Sequence, residues 1–368
     1  MAAYPAIFDA SQTELKEQLR SLLDLDKKSE ARNLLYSHYS LSLRNAVSSV
    51  FLSPNFDDPT FDLYQQLLAN VSRFSAFKAQ HVLDELLDIP PDKDPALHIS
   101  DVINKFNRYQ AAEYNAATAR ARSAKQWADW DNDPILSELY PNIRWLPSRS
   151  ANPRPEHQAF YGLVLPRNDP FWQHNQPGNL WNCKCDWEPT DSNTSRASIS
   201  KADLNKARRH SSADQGLDGN PAKQGKIFTD GAAYFRNAHK NTKKNAIYSE
   251  SIQLKRLSAV KTSSTNLGTV SIGKWHWEEA AKSNTNSDLY FLKNEVAKNI
   301  DIYLPHFDYE GPEDIDLTHN STTSKSFKIK RHARLMHIYT KVIFGRIFVC
   351  KVLEMKDGAL KAWTTYIK

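Results

Sequence analysis

Residues 145–187, WLPSRSANPRPEHQAFYGLVLPRNDPFWQHNQPGNLWNCKCDW, constrain the fold of this chain more than any other stretch. They hold six of its 18 prolines, four of its 9 tryptophans and two of its 3 cysteines. A proline breaks a helix interior and removes a donor from a sheet ladder. Pro147, Pro153, Pro155, Pro166, Pro170 and Pro177 therefore interrupt any helical or alternating period. The stretch reads as irregular, held by something other than a long helix or sheet.

The residue types offer two ways to hold it. Cys183 and Cys185 flank Lys184, with His157 and His174 upstream. Thiolates and imidazoles are the usual ligands of zinc, so His157, Cys183 and Cys185 form a candidate set for a structural zinc. Their spacing is not that of a zinc finger or ribbon. The other reading is a loop-rich core in which small buried cysteines pack among tryptophans.

The order of motifs in this stretch resembles the Mu-F-type phage head morphogenesis family, the minor head proteins of tailed phages. It runs Arg154-x-x-His157, Gly162, Asp169-Pro170-Phe171-Trp172, Pro177, then Trp181-Asn182-Cys183-Lys184-Cys185. The approach helix ending in ATARARSAKQW (117–127) is similar to the family's Ala/Arg-rich lead-in. Lys184 stands where the family has an arginine, and it lacks the guanidinium fork. The family's paired prolines before Trp-Asn are here Pro177-Gly178. The resemblance covers about residues 100–190. It implies a virion protein, assembled in the host cytoplasm, whose partners are portal and capsid proteins.

A chain of 368 residues is long enough for two or three domains. It has no apolar run long enough to span a membrane, and MAAYPAIFDASQ lacks the pattern of a signal peptide. No membrane partner is expected. Three cysteines, two of them one residue apart, make no disulfide framework, which fits a reducing compartment. The net charge of +6 is uneven. Residues 201–261 hold 13 Lys/Arg against 5 Asp/Glu, residues 271–319 hold 4 against 10, and residues 325–368 hold 11 against 2. An acidic block between two basic ones can pair internally or leave a basic face for nucleic acid.

The expected class is α+β and multidomain. Residues 1–130 read as a helical region. Ser11 and Glu14 form a capping box, with Leu15, Leu19, Leu22 and Leu23 on one face. Asp57-Asp58-Pro59-Thr60 starts a second helix carrying Phe61, Tyr64, Leu68 and Val71. Ser100-Asp101 opens a third, with Val102, Phe106 and Tyr109 inward, and Pro90-Pro91 separates the two. Residues 131–190 are the motif region. Residues 191–245, rich in Ser, Asn, Asp and Lys, read as a basic linker or arm. Within it, Lys206-Ala207-Arg208-Arg209-His210 is either a solvated arm or a contact for DNA phosphates.

Residues 246–368 read as a helix followed by an antiparallel sheet. A strand at 267–272 leads into a helix running to about residue 300. Three strands follow at 335–344, 347–355 and 360–367, joined by turns at Gly345-Arg346 and Lys356-Asp357-Gly358. This order of elements resembles the barnase–EndoU–colicin–RelE-like nucleases. The resemblance implies RNA cleavage that needs no metal. There the 2′-hydroxyl attacks phosphorus, helped by a base, an acid and cations. The candidate residues are His276 or His332 for proton transfer, Lys274 and Arg331 near the phosphate, and Thr364 and Tyr366 as hydroxyls on the last strand. His319, Arg334 and Thr365 lie close by in sequence. The other readings are a freestanding RNase toxin with a helical carrier, or a virion protein whose last domain is inactive.

Overall fold

The computed structural model describes residues 12–193, 195, 197–282, 287–317 and 322–368. Ser11 of the expected capping box and His319 lie outside them. The chain divides into two compact units, 1–246 and 247–368. It is α+β, helices dominating the first half and a six-stranded sheet the end.

Unit 1 is built on four helices: α1 (Gln12–Asp24), α2 (Lys28–Phe51), α3 (Phe61–Leu87) and α4 (Pro95–Asn132). Helix α3 begins where Asp58-Pro59-Thr60 marks it, with Asp58 accepting from the Thr60 amide and hydroxyl. Phe61, Tyr64, Leu68 and Val71 are all buried. Helix α4 starts earlier than Ser100-Asp101, because Asp94 caps it and Pro95 fits its first turn. Val102 and Phe106 point inward, whereas Tyr109 is exposed. Helix α2 has no counterpart in the sequence reading. Its buried positions include Arg32, Asn33, Ser40 and Ser42 beside Leu35, Tyr39, Leu43 and Val47, so it shows no clean apolar stripe.

The motif region does contain a sheet, although a small one. Strands β1 (Asn142–Leu146), β2 (Val164–Pro166) and β3 (Asp186–Thr190) pair antiparallel in the order β2-β1-β3. Each is too short to show an alternating period between prolines.

The expected linker is a correction. Residues 215–236 pack onto α3 and α4, with Leu217, Ile227 and Phe228 fully buried. Phe228 stacks on Phe74 at 3.9 Å between centroids. Its backbone exchanges two hydrogen bonds with Asn70, of 2.9 and 2.8 Å. Gly216 (φ +84°) touches Ala232 so closely that a Cβ would lie 2.5 Å from its Cα. Polar composition hid this because the segment's backbone carbonyls find donors on Arg120 and Asn70 of the helices.

Helix α5 (Lys240–Lys255) leads into unit 2, whose sheet has the order β4-β5-β9-β8-β7-β6. The strands are β4 (Lys261–Thr265), β5 (Gly268–Ile272), β6 (Asp308–Glu313), β7 (Ala333–Ile343), β8 (Arg346–Met355) and β9 (Leu360–Ile367). The last three form the expected meander. The sheet as a whole is mixed, because β5 runs parallel to β9. The helix expected to about residue 300 is divided into α6 (Lys274–Ala280) and α7 (Ser287–Lys298), both packed against β9. Helix α8 (Lys325–Lys330) precedes β7.

Candidate metal centre

The Trp/Cys stretch closes around His157. Arg154-Pro155 opens a single helical turn, Pro155–Gln158, which presents His157 with no exposed surface. Arg154 itself donates to the Trp181 carbonyl at 3.0 Å and so ties the turn to the Trp-Asn-Cys segment. Asp169 accepts from the Phe171 amide at 2.9 Å and receives Arg208 at 2.7 Å. That contact fixes the turn that buries Phe171 and Trp172. Trp172 donates to the Pro166 carbonyl, and Trp187 to Gln126 on α4. Trp145 meets the His157 ring edge-on at 4.9 Å.

Gly178 has φ +91°, and a Cβ there would lie 3.1–3.3 Å from Arg120 and the Ala119 carbonyl carbon. Only glycine lets this loop approach α4 so closely. Arg120 is fully buried and donates to the carbonyls of Ile227, Leu217, Asp218 and Gly219 and to the Asn179 side chain. The Ala/Arg-rich lead-in thus supplies one guanidinium that gathers the loops behind the motif, aided by the small residues beside it.

Asn182 takes a left-handed conformation (φ +60°), and the chain turns so that both cysteines face the histidine. His157 Nδ1 lies 3.3 Å from Cys183 Sγ and 3.6 Å from Cys185 Sγ. All three ligand atoms lie within 4.8 Å of one another. Zinc bonds of about 2.3 Å to sulfur and about 2.0–2.1 Å to nitrogen, at tetrahedral angles, place S and N about 3.6 Å apart. The two sulfur–nitrogen spacings are close to that value. The Cys185 amide donates to Cys183 Sγ at 3.4 Å. Hydrogen bonding from Cys185, opposed by burial and aided by His157, holds the Cys183 thiol down to about 4. The Cys183 anion and burial push Cys185 up. Among the described residues no fourth His, Cys, Asp or Glu joins the group. Two thiols and an imidazole are a donor set that suits zinc.

In unit 2 the residues proposed from sequence lie on α6, just before β7 and on β9. His276 has no exposed surface, and burial pushes it down to about 3 despite a backbone contact with Ala297. It is a core histidine, a correction to its assignment as a proton-transfer group. Lys274 is exposed, 4.0 Å from the Glu278 carboxylate. Arg331 and His332 are exposed at the start of β7, with Arg331 Nε donating to His332 Nε2 at 3.1 Å. Thr364 and Tyr366 are half-buried on β9, opposite Lys351 and Val349 of β8. Arg208 of the basic cluster is held by Asp169, while Lys206, Arg209 and His210 are exposed.

Sequence reasoning passed over one group. His337 Nδ1 lies 2.9 Å from the Tyr309 hydroxyl, and His337 Nε2 lies 3.0 Å from Glu354 Oε2. The available signal was the strand register: one His and one Glu fall two residues off register on neighbouring strands.

Part of the chain is similar to a known protein. A protein of Escherichia phage Mu named "Putative capsid assembly protein F" is 35% identical over 78 residues. The match spans 21% of this chain and 17% of the Mu protein. No family model matches the chain, and no solved structure matches it.

Proposed function

We propose that the chain is a minor head protein of a tailed phage, built into the procapsid and touching portal and capsid proteins. The observation that carries this reading is the similarity to the Mu protein. Unit 1 is the assembly module, and a zinc at His157, Cys183 and Cys185 locks its docking surface. The zinc would act structurally, fixing a loop-rich segment that has little regular hydrogen bonding of its own. Support for the metal comes from the match of the 3.3 and 3.6 Å spacings to a zinc tetrahedron.

Unit 2 is an effector that cleaves RNA without a metal. Supporting this are the order of its elements and its excess of 11 Lys/Arg over 2 Asp/Glu between residues 325 and 368. Lys274, Arg331, His332, Thr364 and Tyr366 remain its sequence-derived candidates. The exposed cations Lys206 and Arg209 of unit 1 suit contact with DNA phosphates in a filled head.

The test uses virions purified from a lysogen that encodes the chain. The protein is expected in the particle, and deletion of its gene should leave empty or aberrant heads. A protein absent from virions, with normal heads after deletion, refutes the assembly role and favours a freestanding toxin. Metal analysis of the purified chain should find one zinc, lost in Cys183→Ser.

A further inference from the structure

The register of the unit 2 sheet brings three proton-bearing or proton-accepting side chains to one face. His337 pairs with Val352, two residues from Glu354 on β8. Tyr309 pairs with Tyr339, two residues from His337 on β7. Residues two apart on a strand share a face, so Tyr309, His337 and Glu354 lie side by side across β6, β7 and β8. Glu354 also receives Arg334, whose own side chain is 65% exposed. The His337 and Glu354 side chains are only 7% and 15% exposed, whereas Tyr309 is 36% exposed. The chain of bonds therefore runs from a shielded carboxylate outward to a phenol that solvent reaches.

The polarity of the chain follows from the carboxylate. Hydrogen bonding from His337, with Arg334 beside it, holds the Glu354 carboxyl below its usual range, so Glu354 accepts. His337 Nε2 then carries the proton, and Nδ1 is the lone-pair nitrogen that accepts from the Tyr309 hydroxyl. A carboxylate that orients an imidazole, which in turn faces a hydroxyl, is the arrangement used to activate a hydroxyl group. His332, by contrast, is bonded to a neighbouring arginine and faces no carboxylate among its described hydrogen bonds.

We infer that Tyr309, His337 and Glu354 form the proton-transfer centre of unit 2, acting on the 2′-hydroxyl of an RNA phosphodiester with Arg334 beside the phosphate. The substrate class rests on the reading of unit 2 as an RNA-cleaving effector. In the step, the 2′-hydroxyl proton passes to the Tyr309 oxygen while the phenol's own proton passes to His337 Nδ1. The 2′-oxygen bonds to phosphorus and the bond from phosphorus to the 5′-oxygen breaks. The leaving 5′-oxygen takes the proton back from His337 through Tyr309. The products are a 2′,3′-cyclic phosphate and a 5′-hydroxyl, and nothing else is consumed. Glu354 carries the transient imidazolium as its counter-ion, and Arg334 faces the charge that grows on the phosphoryl oxygens.

The test incubates the purified full chain with a labelled RNA oligonucleotide and with the same strand carrying only 2′-deoxy sugars. Wild type should cleave the RNA to cyclic-phosphate ends and leave the deoxy strand intact. His337→Asn should lose about 10²-fold or more of the rate, the usual share of acid–base catalysis. Tyr309→Phe, which removes one partly exposed oxygen, should lose at least about tenfold without disturbing the fold. If wild type cleaves and both His337→Asn and Tyr309→Phe keep its rate, the centre is misassigned while the RNA reading stands. If wild type cleaves no RNA, the RNA reading and the substrate class fall. The relay then stands or falls on nitrogen NMR. Wild-type His337 should show a protonated Nε2 and a bare Nδ1, with the Nδ1 shift moved by Tyr309→Phe. A protonated Nδ1 overturns it.

Discussion

Replacing Arg120 by methionine isolates what one buried guanidinium does for unit 1. The substitution keeps an unbranched stem in the α4 groove and removes every donor. In the native protein those donors serve the carbonyls of Ile227 at 2.7 Å, Asp218 at 3.2 Å and Gly219 at 3.2 Å, the Leu217 carbonyl, and Asn179. A buried acceptor left without a donor costs about 1–3 kcal/mol, and hydrogen bonds to a charged group are worth about 1.5–3 kcal/mol each. Some of that loss is returned because no charge need be desolvated, and Asp218 no longer has to oppose its burial. The expected net cost is about 4–6 kcal/mol. At about 2–4 °C per kcal/mol for a unit of this size, its melting transition should fall by about 10–20 °C. Calorimetry of the full chain, following the unit 1 transition, measures this directly. Arg120→Lys should recover only a small part, because one ammonium cannot span the same set of carbonyls. A melting point for Arg120→Met within about 2 °C of wild type would refute the claim that this side chain anchors residues 215–228.

The buried pair Lys78–Glu113, 2.6 Å apart, should behave as a unit. Lys78→Met or Glu113→Leu alone should cost about 3–5 kcal/mol, and the double variant less than either, as read from a urea double-mutant cycle. His276 makes unit 2 sensitive to acid. Its folded pKa, about 3, lies below its ordinary 6.5, so the unfolded chain binds more protons between those values. Stability is full above pH 6.5 and falls as pH drops toward 3, by about 2 kcal/mol at pH 5 from this group. His276→Leu should flatten that part of the urea-midpoint profile. Gly216→Ala forces a side chain into Ala232 at φ +84° and should cost more than about 1 kcal/mol in chemical denaturation. Stripping zinc with a chelator should lower the unit 1 transition, and Cys183→Ser should abolish the difference between treated and untreated protein.

The parts of the fold that were legible are those whose signal is local. The α3 start is written as Asp58-Pro59-Thr60, because a carboxylate three residues before the helix accepts from the amide and hydroxyl of Thr60 at its cap. The meander β7-β8-β9 is written in apolar runs separated by turn residues at Gly345 and Gly358. The three candidate ligands His157, Cys183 and Cys185 were visible as residue types, and their convergence needed the left-handed turn at Asn182. Helix α2 escaped because it is buried on several sides, which erases a one-faced pattern. The pairing of His337 with Glu354 escaped because it crosses two strands and depends on register.

By itself the sequence determined the start of α3, the turns of the β7-β8-β9 meander, and that residues 145–187 are too rich in proline for long regular structure. These follow from backbone sterics and short-range hydrogen bonding, which act within a few residues. Only the tertiary structure decided that residues 215–236 are core, that His276 is sealed away, and that Arg120 serves a loop about a hundred positions later. Burial is a property of everything packed around a residue, and a polar segment can be interior when its carbonyls find a donor such as this guanidinium.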